Sequence, residues 1–177
     1  MTDSAVQTAS GALETALEAA FRQIAATRMR DMPLCNPALT VEAIGFRTWQ
    51  NDRVGVLITP WSMNLICLPG PDTLWQPASS GSTHSLPLPS GDYDFMNAHE
   101  DAIAAYLSSS LFSPMFEFAD MDQARAVAEA VLAEVFTVAE PEPAVVSTIV
   151  PAEGMTAKLE QPLSRRGFLG ALLPVGK

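Results

Sequence analysis

Apolar residues recur at three- and four-residue steps over residues 11–30, where Leu13, Leu17, Phe21 and Ile24 stand with Ala16 and Ala20 between them. That spacing predicts one apolar stripe on a helix, with Ser10 as its cap and Pro33 as its end. The pattern then changes to short runs. "VEAIGFRTW" and "VGVLITP" flank the polar "QNDR", which reads as a β-hairpin, and "LICL" at 65–68 is a third strand-like run. Prolines 60, 69, 71 and 77 bar a regular central strand near them, so 69–83 reads as an ordered loop leading to a flexible tip. "HSLPLP", "SGD" and "YDFM" form a second hairpin pattern, with Leu86 and Leu88 alternating on one arm and Tyr93 and Phe95 on the other.

Two helices are predicted next. In the first, Asn97 is placed as cap with Glu100 three residues on, and the segment runs to Leu111 with Ile103, Tyr106 and Leu107 inward. Ser113–Pro114 stops it. In the second, Asp120 and Gln123 repeat the capping pair, and Ala124, Val127, Val131, Leu132 and Val135 follow at helical steps. The stretch "AEPEPAV" then opens a Pro/Glu-rich tail over 139–177 without sustained periodicity, which reads as flexible. The expectation is an α+β domain over residues 1–138: a small antiparallel sheet of hairpins packed with an N-terminal helix and two C-terminal helices, followed by that tail.

Composition narrows the function. With 177 residues, 48% of them hydrophobic, the chain is long enough for one domain with a core. Its formal charge of −10 argues against nucleic-acid binding, which needs a basic surface. Charge is uneven: 18 acidic and 6 basic residues stand in 1–150, against 2 acidic and 4 basic in 151–177. An acidic body therefore carries a mildly basic tail. Cys35 and Cys67 make no C-x-x-C pair, so metal and redox signatures built on such pairs are missing, and two buried thiols in a reducing compartment is the simpler reading. "MTDSAVQTAS" does not read as a secretory signal, and no apolar run approaches the ~20 residues of a membrane helix. Those features point to a cytoplasmic protein without stable membrane insertion.

Candidate chemistry is sparse. His84 and His99 have no H-x-x-x-H or cysteine partner, Asp92 and Asp94 sit in a turn signal, and no phosphate-binding glycine loop occurs. No cofactor, metal or catalytic residue is expected. Apolar residues in turns stand out instead: Trp61 and Met63 in "PWSMN", Leu74 and Trp75 in "PGPDTLW", and Leu111, Phe112, Met115, Phe116 and Phe118 in "SLFSPMFEF". Such residues either cap the core or build an adaptable apolar groove for a peptide. The tail adds "SRRGFLGALLPVGK", which imitates a twin-arginine export signal, with only eleven residues after Arg166. In that position it is not expected to act as one. Arg165, Arg166, Phe168 and Leu169 could instead imitate a client's signal on the protein's own surface, or contact a partner.

The blocks "ITPWSMNLICLPGPDTLW", "LPSGDYDFMNAHE" and "YLSSSLFSPMFEF" resemble those of the HybE family of [NiFe]-hydrogenase assembly chaperones, over roughly residues 12–136. The resemblance implies a cytoplasmic, non-catalytic maturation protein of an uptake hydrogenase. Its implied partner is a subunit precursor, the small subunit with its twin-arginine signal peptide first, with the large subunit or other maturation proteins as further candidates. The alternative is a redox- or metal-handling accessory enzyme of the same pathway, which needs a reactive Cys35 or Cys67. Matching motif positions give Trp61, Met63, Asn64, Pro69, Gly70, Trp75, Leu111, Phe112, Ser113, Pro114 and Met115 as candidate client-binding residues. Many members are expected to carry a cysteine where Ser109 and Ser110 stand, which weakens thiol chemistry. An appended rubredoxin domain, found in some relatives, has too few cysteines here.

Overall fold

The computed structural model describes residues 3–138. Its elements follow the chain as α1 (Asp3–Ala26), β1 (Glu42–Trp49), β2 (Asp52–Ile58), β3 (Met63–Leu68), β4 (Thr83–Leu88), β5 (Gly91–Glu100), β6 (Ala104–Phe112) and α2 (Met121–Val135). The six strands form one antiparallel sheet in the order β1-β2-β3-β6-β5-β4. The α+β class is as expected, but with one C-terminal helix in place of two.

Alternation along the strands divides the core between the two faces of the sheet. Val54, Val56 and Ile58 of β2 stand opposite Cys67, Leu65 and Met63 of β3, and these pack with Phe95, Leu107 and the apolar side of α2. Leu57, Ile66, Leu68 and Tyr106 point to the other face and meet Leu17 and Phe21 of α1. The sheet is therefore sandwiched between the helices. It also curls: the Trp49 indole at the end of β1 donates to the Pro87 carbonyl of β4 at 2.9 Å, joining the two edge strands, and stacks edge-on with Phe136 just past α2. Both edges are blunted elsewhere. Glu18 of α1 accepts from the outward Ala43 N–H at 2.8 Å, Arg22 reaches the Val41 carbonyl, and Pro87 has no N–H to offer.

The predicted helix over 97–111 is two strands. Asn97 caps nothing; it is a buried β5 residue whose Nδ2 donates to the Ser82 carbonyl (3.2 Å) and hydroxyl (3.1 Å), while its Oδ1 accepts from Ala78 N–H (3.3 Å). Asp101–Ile103 turn the chain, with Ala104 at φ 60°, and β6 enters the centre of the sheet between β3 and β5. Ile103, Tyr106 and Leu107 fit a helical step, but Tyr106 and Leu107 are buried on opposite faces, as neighbours in a central strand must be. His99 consequently lies on a strand. The first helix begins at Asp3, so Ser10 is not its cap, and it ends at Ala26 before a run of turns rather than near residue 30. The second predicted helix is found as α2: the Asp120 carboxylate accepts from Gln123 N–H at 2.9 Å, and the Gln123 side chain accepts from Ala119 N–H at 2.8 Å. The tail over 139–177 lies outside the described residues.

Candidate functional site: an apolar corner beside Cys35

Three segments meet where β3 begins and β6 ends. The first is the Thr59–Ser62 turn, closed by Thr59 N–H to the Ser62 carbonyl at 2.8 Å and by Ser62 N–H to the Thr59 hydroxyl at 2.9 Å. It presents Trp61, half-buried and stacked on Phe21 at a centroid separation of 6.5 Å. The second is the segment after β6. A register shift opposite Met63 and Asn64 leaves Leu111 unpaired, and the chain leaves the sheet through a cis Ser113–Pro114 bond. The Ser113 hydroxyl donates to the Trp61 carbonyl at 3.4 Å, and Phe112 packs edge-on against Phe118 at 5.3 Å.

The third segment, 27–40, carries no recognisable motif in the sequence. Successive turns place Met29, Met32 and Cys35 three residues apart, through Met32 N–H to the Met29 carbonyl and Cys35 N–H to the Met32 carbonyl. All three line one cavity of about 300 Å³, with Ala25, Pro60 and Trp61 among its other walls. Asn36 ties the segments together. Its Nδ2 donates to the carbonyls of Met115 (2.9 Å) and Phe118 (2.7 Å), its Oδ1 accepts from Ala38 N–H (3.0 Å), and its own N–H donates to the Pro60 carbonyl (2.8 Å). The "NP" pair at 36–37 is a turn signal in the sequence, but nothing local says which carbonyls the side chain will find.

The candidate residues separate accordingly. Trp61, Met63, Asn64 and Leu111–Met115 come together at the corner; among them Met63 and Met115 are fully buried, and so can shape the surface only from beneath. Asn64 is half-buried and donates to the Ser62 hydroxyl. Pro69, Gly70 and Trp75 lie at the far end of β3, a strand ~20 Å long. Gly70 is there for clearance: a Cβ would stand 1.7 Å from the Asn51 carbonyl oxygen. Trp75 is buried in the core, in the same cluster as Cys67. Arg165, Arg166, Phe168 and Leu169 lie outside the described residues. Phe116 and Met32, at 56% and 42% exposure, are large apolar side chains that the corner leaves open to solvent.

Electrostatics favour a cationic visitor. Residues 3–138 hold sixteen acidic side chains and six basic ones, all arginines. Arg22, Arg28, Arg53 and Arg125 are already paired with Glu18, Glu100, Glu14 and Glu42, and Arg47 lies over the Phe136 ring at 4.5 Å. Neither thiol is primed for chemistry. Burial, reinforced by nearby Asp52, pushes Cys67 far up, and burial also raises Cys35. Among the described residues no three His, Cys, Asp or Glu side chains gather as metal ligands, and no helix is long and apolar enough to cross a membrane.

Known proteins align with this architecture. The family described as "[NiFe]-hydrogenase assembly, chaperone, HybE" matches residues 12–171. Hydrogenase expression/formation protein HupJ of Bradyrhizobium diazoefficiens is 41% identical over 157 residues, 89% of this chain and 86% of its own. Probable rubredoxin HupJ of Rhodobacter capsulatus is 41% identical over 122 residues, 69% of this chain but 44% of its own. The solution structure of HybE from Escherichia coli superposes with a TM-score of 0.59 at 27% identity, covering 86% of this chain and 91% of that one. This chain belongs to the HybE family of [NiFe]-hydrogenase assembly chaperones.

Proposed function

We propose that the protein holds the precursor of a [NiFe]-hydrogenase subunit at the corner beside Cys35, before assembly and export, and that the subunit is the small one, gripped through its twin-arginine signal peptide. The observation that carries this reading is the pairing of rigidity with exposure. The hydrogen-bonded frame around Asn36 holds Met32 and half-buried Trp61 on the walls of a cavity of about 300 Å³, and fixes exposed Phe116 between Met115 and Phe118, whose carbonyls it binds. A fixed frame lowers the ordering cost of binding, and unbranched methionines adapt to varied apolar side chains. Exposed Asp31 lines the same cavity, and exposed Glu117 sits one residue before Phe118, whose carbonyl Asn36 holds. They offer carboxylates that arginines bind through charge-assisted hydrogen bonds. Action in the cytoplasm, on an uptake enzyme, belongs to the same proposal.

The test measures binding of a purified small-subunit precursor with and without its signal peptide. Deleting the peptide is expected to weaken binding at least tenfold, and added salt to weaken binding of the intact precursor. Equal affinities would remove the signal peptide from the proposal and leave the mature subunit or the large subunit as client.

A further inference from the structure

We infer that the cavity beside Cys35 is also the docking site of the chain's own C-terminal segment, residues 164–173, so that tail and client compete for one pocket. The inference rests on the corner being a docking surface and adds its second occupant. "SRRGFLGALL" carries two arginines directly before an apolar run, and the cavity pairs methionine walls with a carboxylate at Asp31. Phe168 or Leu169 would fill the space between Met29, Met32 and Trp61, and Arg165 or Arg166 would meet Asp31 or Glu117. Arg30 is the opposing charge on the same rim. The larger cavity of about 470 Å³ between α1 and the β5–β6 turn suits the tail less well: no methionine or aromatic side chain lines it, and of its two carboxylates, Glu100 and Asp101, the first already accepts from Arg28 at 2.6 Å.

Reach is not limiting. Residues 139–164 separate the described domain from Arg165. Fully extended, twenty-six residues reach up to ~85 Å, against a radius of gyration of ~14 Å for a domain of this size. The family match extends to residue 171, so Arg165–Leu169 fall within the matched span. Tethering gives an effective concentration of order mM. A client at ~1 μM with the same intrinsic affinity would lose by ~10³, so a regulatory tail must bind weakly; an intrinsic dissociation constant of ~100 μM would still occupy the pocket about nine-tenths of the time.

Cys35 reports occupancy without any client. Cys67 is fully buried, so Cys35 is the thiol a reagent reaches in the folded chain. Its alkylation by a maleimide is compared in the full chain and in a chain ending at Gln161. Truncation is expected to speed modification about tenfold, and a synthetic peptide of residues 162–177 at millimolar concentration to slow it again. The full chain carrying Phe168→Ser and Leu169→Ser is expected to react at the truncated rate. Equal rates for full and truncated chains overturn the inference. Protection that disappears on dilution to about 1 μM overturns it too, by assigning the occupant to a second copy. Since no hydrogenase subunit is present, failure here is distinct from failure of the proposed client.

Discussion

Asn36 is the side chain on which the corner depends most, and replacing it tests the reasoning at a defined cost. In Asn36→Ala three side-chain hydrogen bonds disappear: Nδ2 to the Met115 and Phe118 carbonyls, and Ala38 N–H to Oδ1. Asn36 itself is only 7% exposed, so its partners are poorly placed to recover water. A lost net hydrogen bond costs about 1 kcal/mol, and a polar group left buried costs about 1–3 kcal/mol. Allowing for partial rehydration, the expected loss is about 3 kcal/mol, a large share of the ~7–15 kcal/mol normal for a domain of this size. The assay is urea unfolding followed by tryptophan fluorescence, with the midpoint falling at unchanged slope. The melting temperature is expected to drop by about 10 °C. Asn36→Asp is the shape-conserving control: at neutral pH it turns carboxylate oxygens toward two carbonyl oxygens and is expected to be at least as destabilising. Its folded-state pKa is then raised, so stability is recovered at low pH and lost as pH rises through that value. A loss below about 1 kcal/mol in Asn36→Ala, or wild-type stability in Asn36→Asp, would refute the assignment.

Other outcomes follow from the same geometry. Gly70→Ala drives a methyl group into the Asn51 carbonyl and is expected to cost about 1–3 kcal/mol in urea unfolding, with little effect on client affinity at the opposite end of β3. Tyr106 is held up at about 12, chiefly by burial and then by Glu100, against an ordinary value of 10.0. A raised folded-state value means stability complete below about 10 and lost as pH rises through about 12; Tyr106→Phe is expected to flatten that part of the alkaline unfolding curve, and an unchanged slope would count against the assignment. Phe116→Ser removes an exposed aromatic and is expected to leave the melting temperature within about 2 °C while weakening precursor binding at least tenfold, as isothermal titration would show.

Much of the fold was legible because its signals are local. The β1–β2 hairpin announces itself through alternating runs around "QNDR", and α2 through Asp120 and Gln123 ahead of a clean apolar stripe. The misread segment, 97–111, carries a local pattern compatible with either structure. Asn97 and Glu100 imitate a capping pair, and only the pairing of β6 with β3 on one side and β5 on the other decides for a strand. Long-range pairing of that kind leaves no mark in the segment itself. The candidate site was half legible. "PWSMN" and "SLFSPMF" converge at one corner, yet Met63 went to the core by strand register, and Trp75 and Met115 because the loops that carry them fold over it. Met29, Met32 and Cys35 were missed because their turns follow a helix without a motif, and the role of Asn36 depends on partners seventy-nine and eighty-two residues away.

The central claim is that a hydrogenase precursor sits on the corner formed by residues 27–40, 59–62 and 111–118. Hydrogen–deuterium exchange of the full chain with and without a small-subunit precursor tests it most directly. The account predicts that binding slows exchange in those three segments together and leaves the Pro69–Trp75 loop at the other end of β3 unchanged. Protection confined to that loop or to the β5–β6 turn, with the corner exchanging as in the free protein, would contradict it.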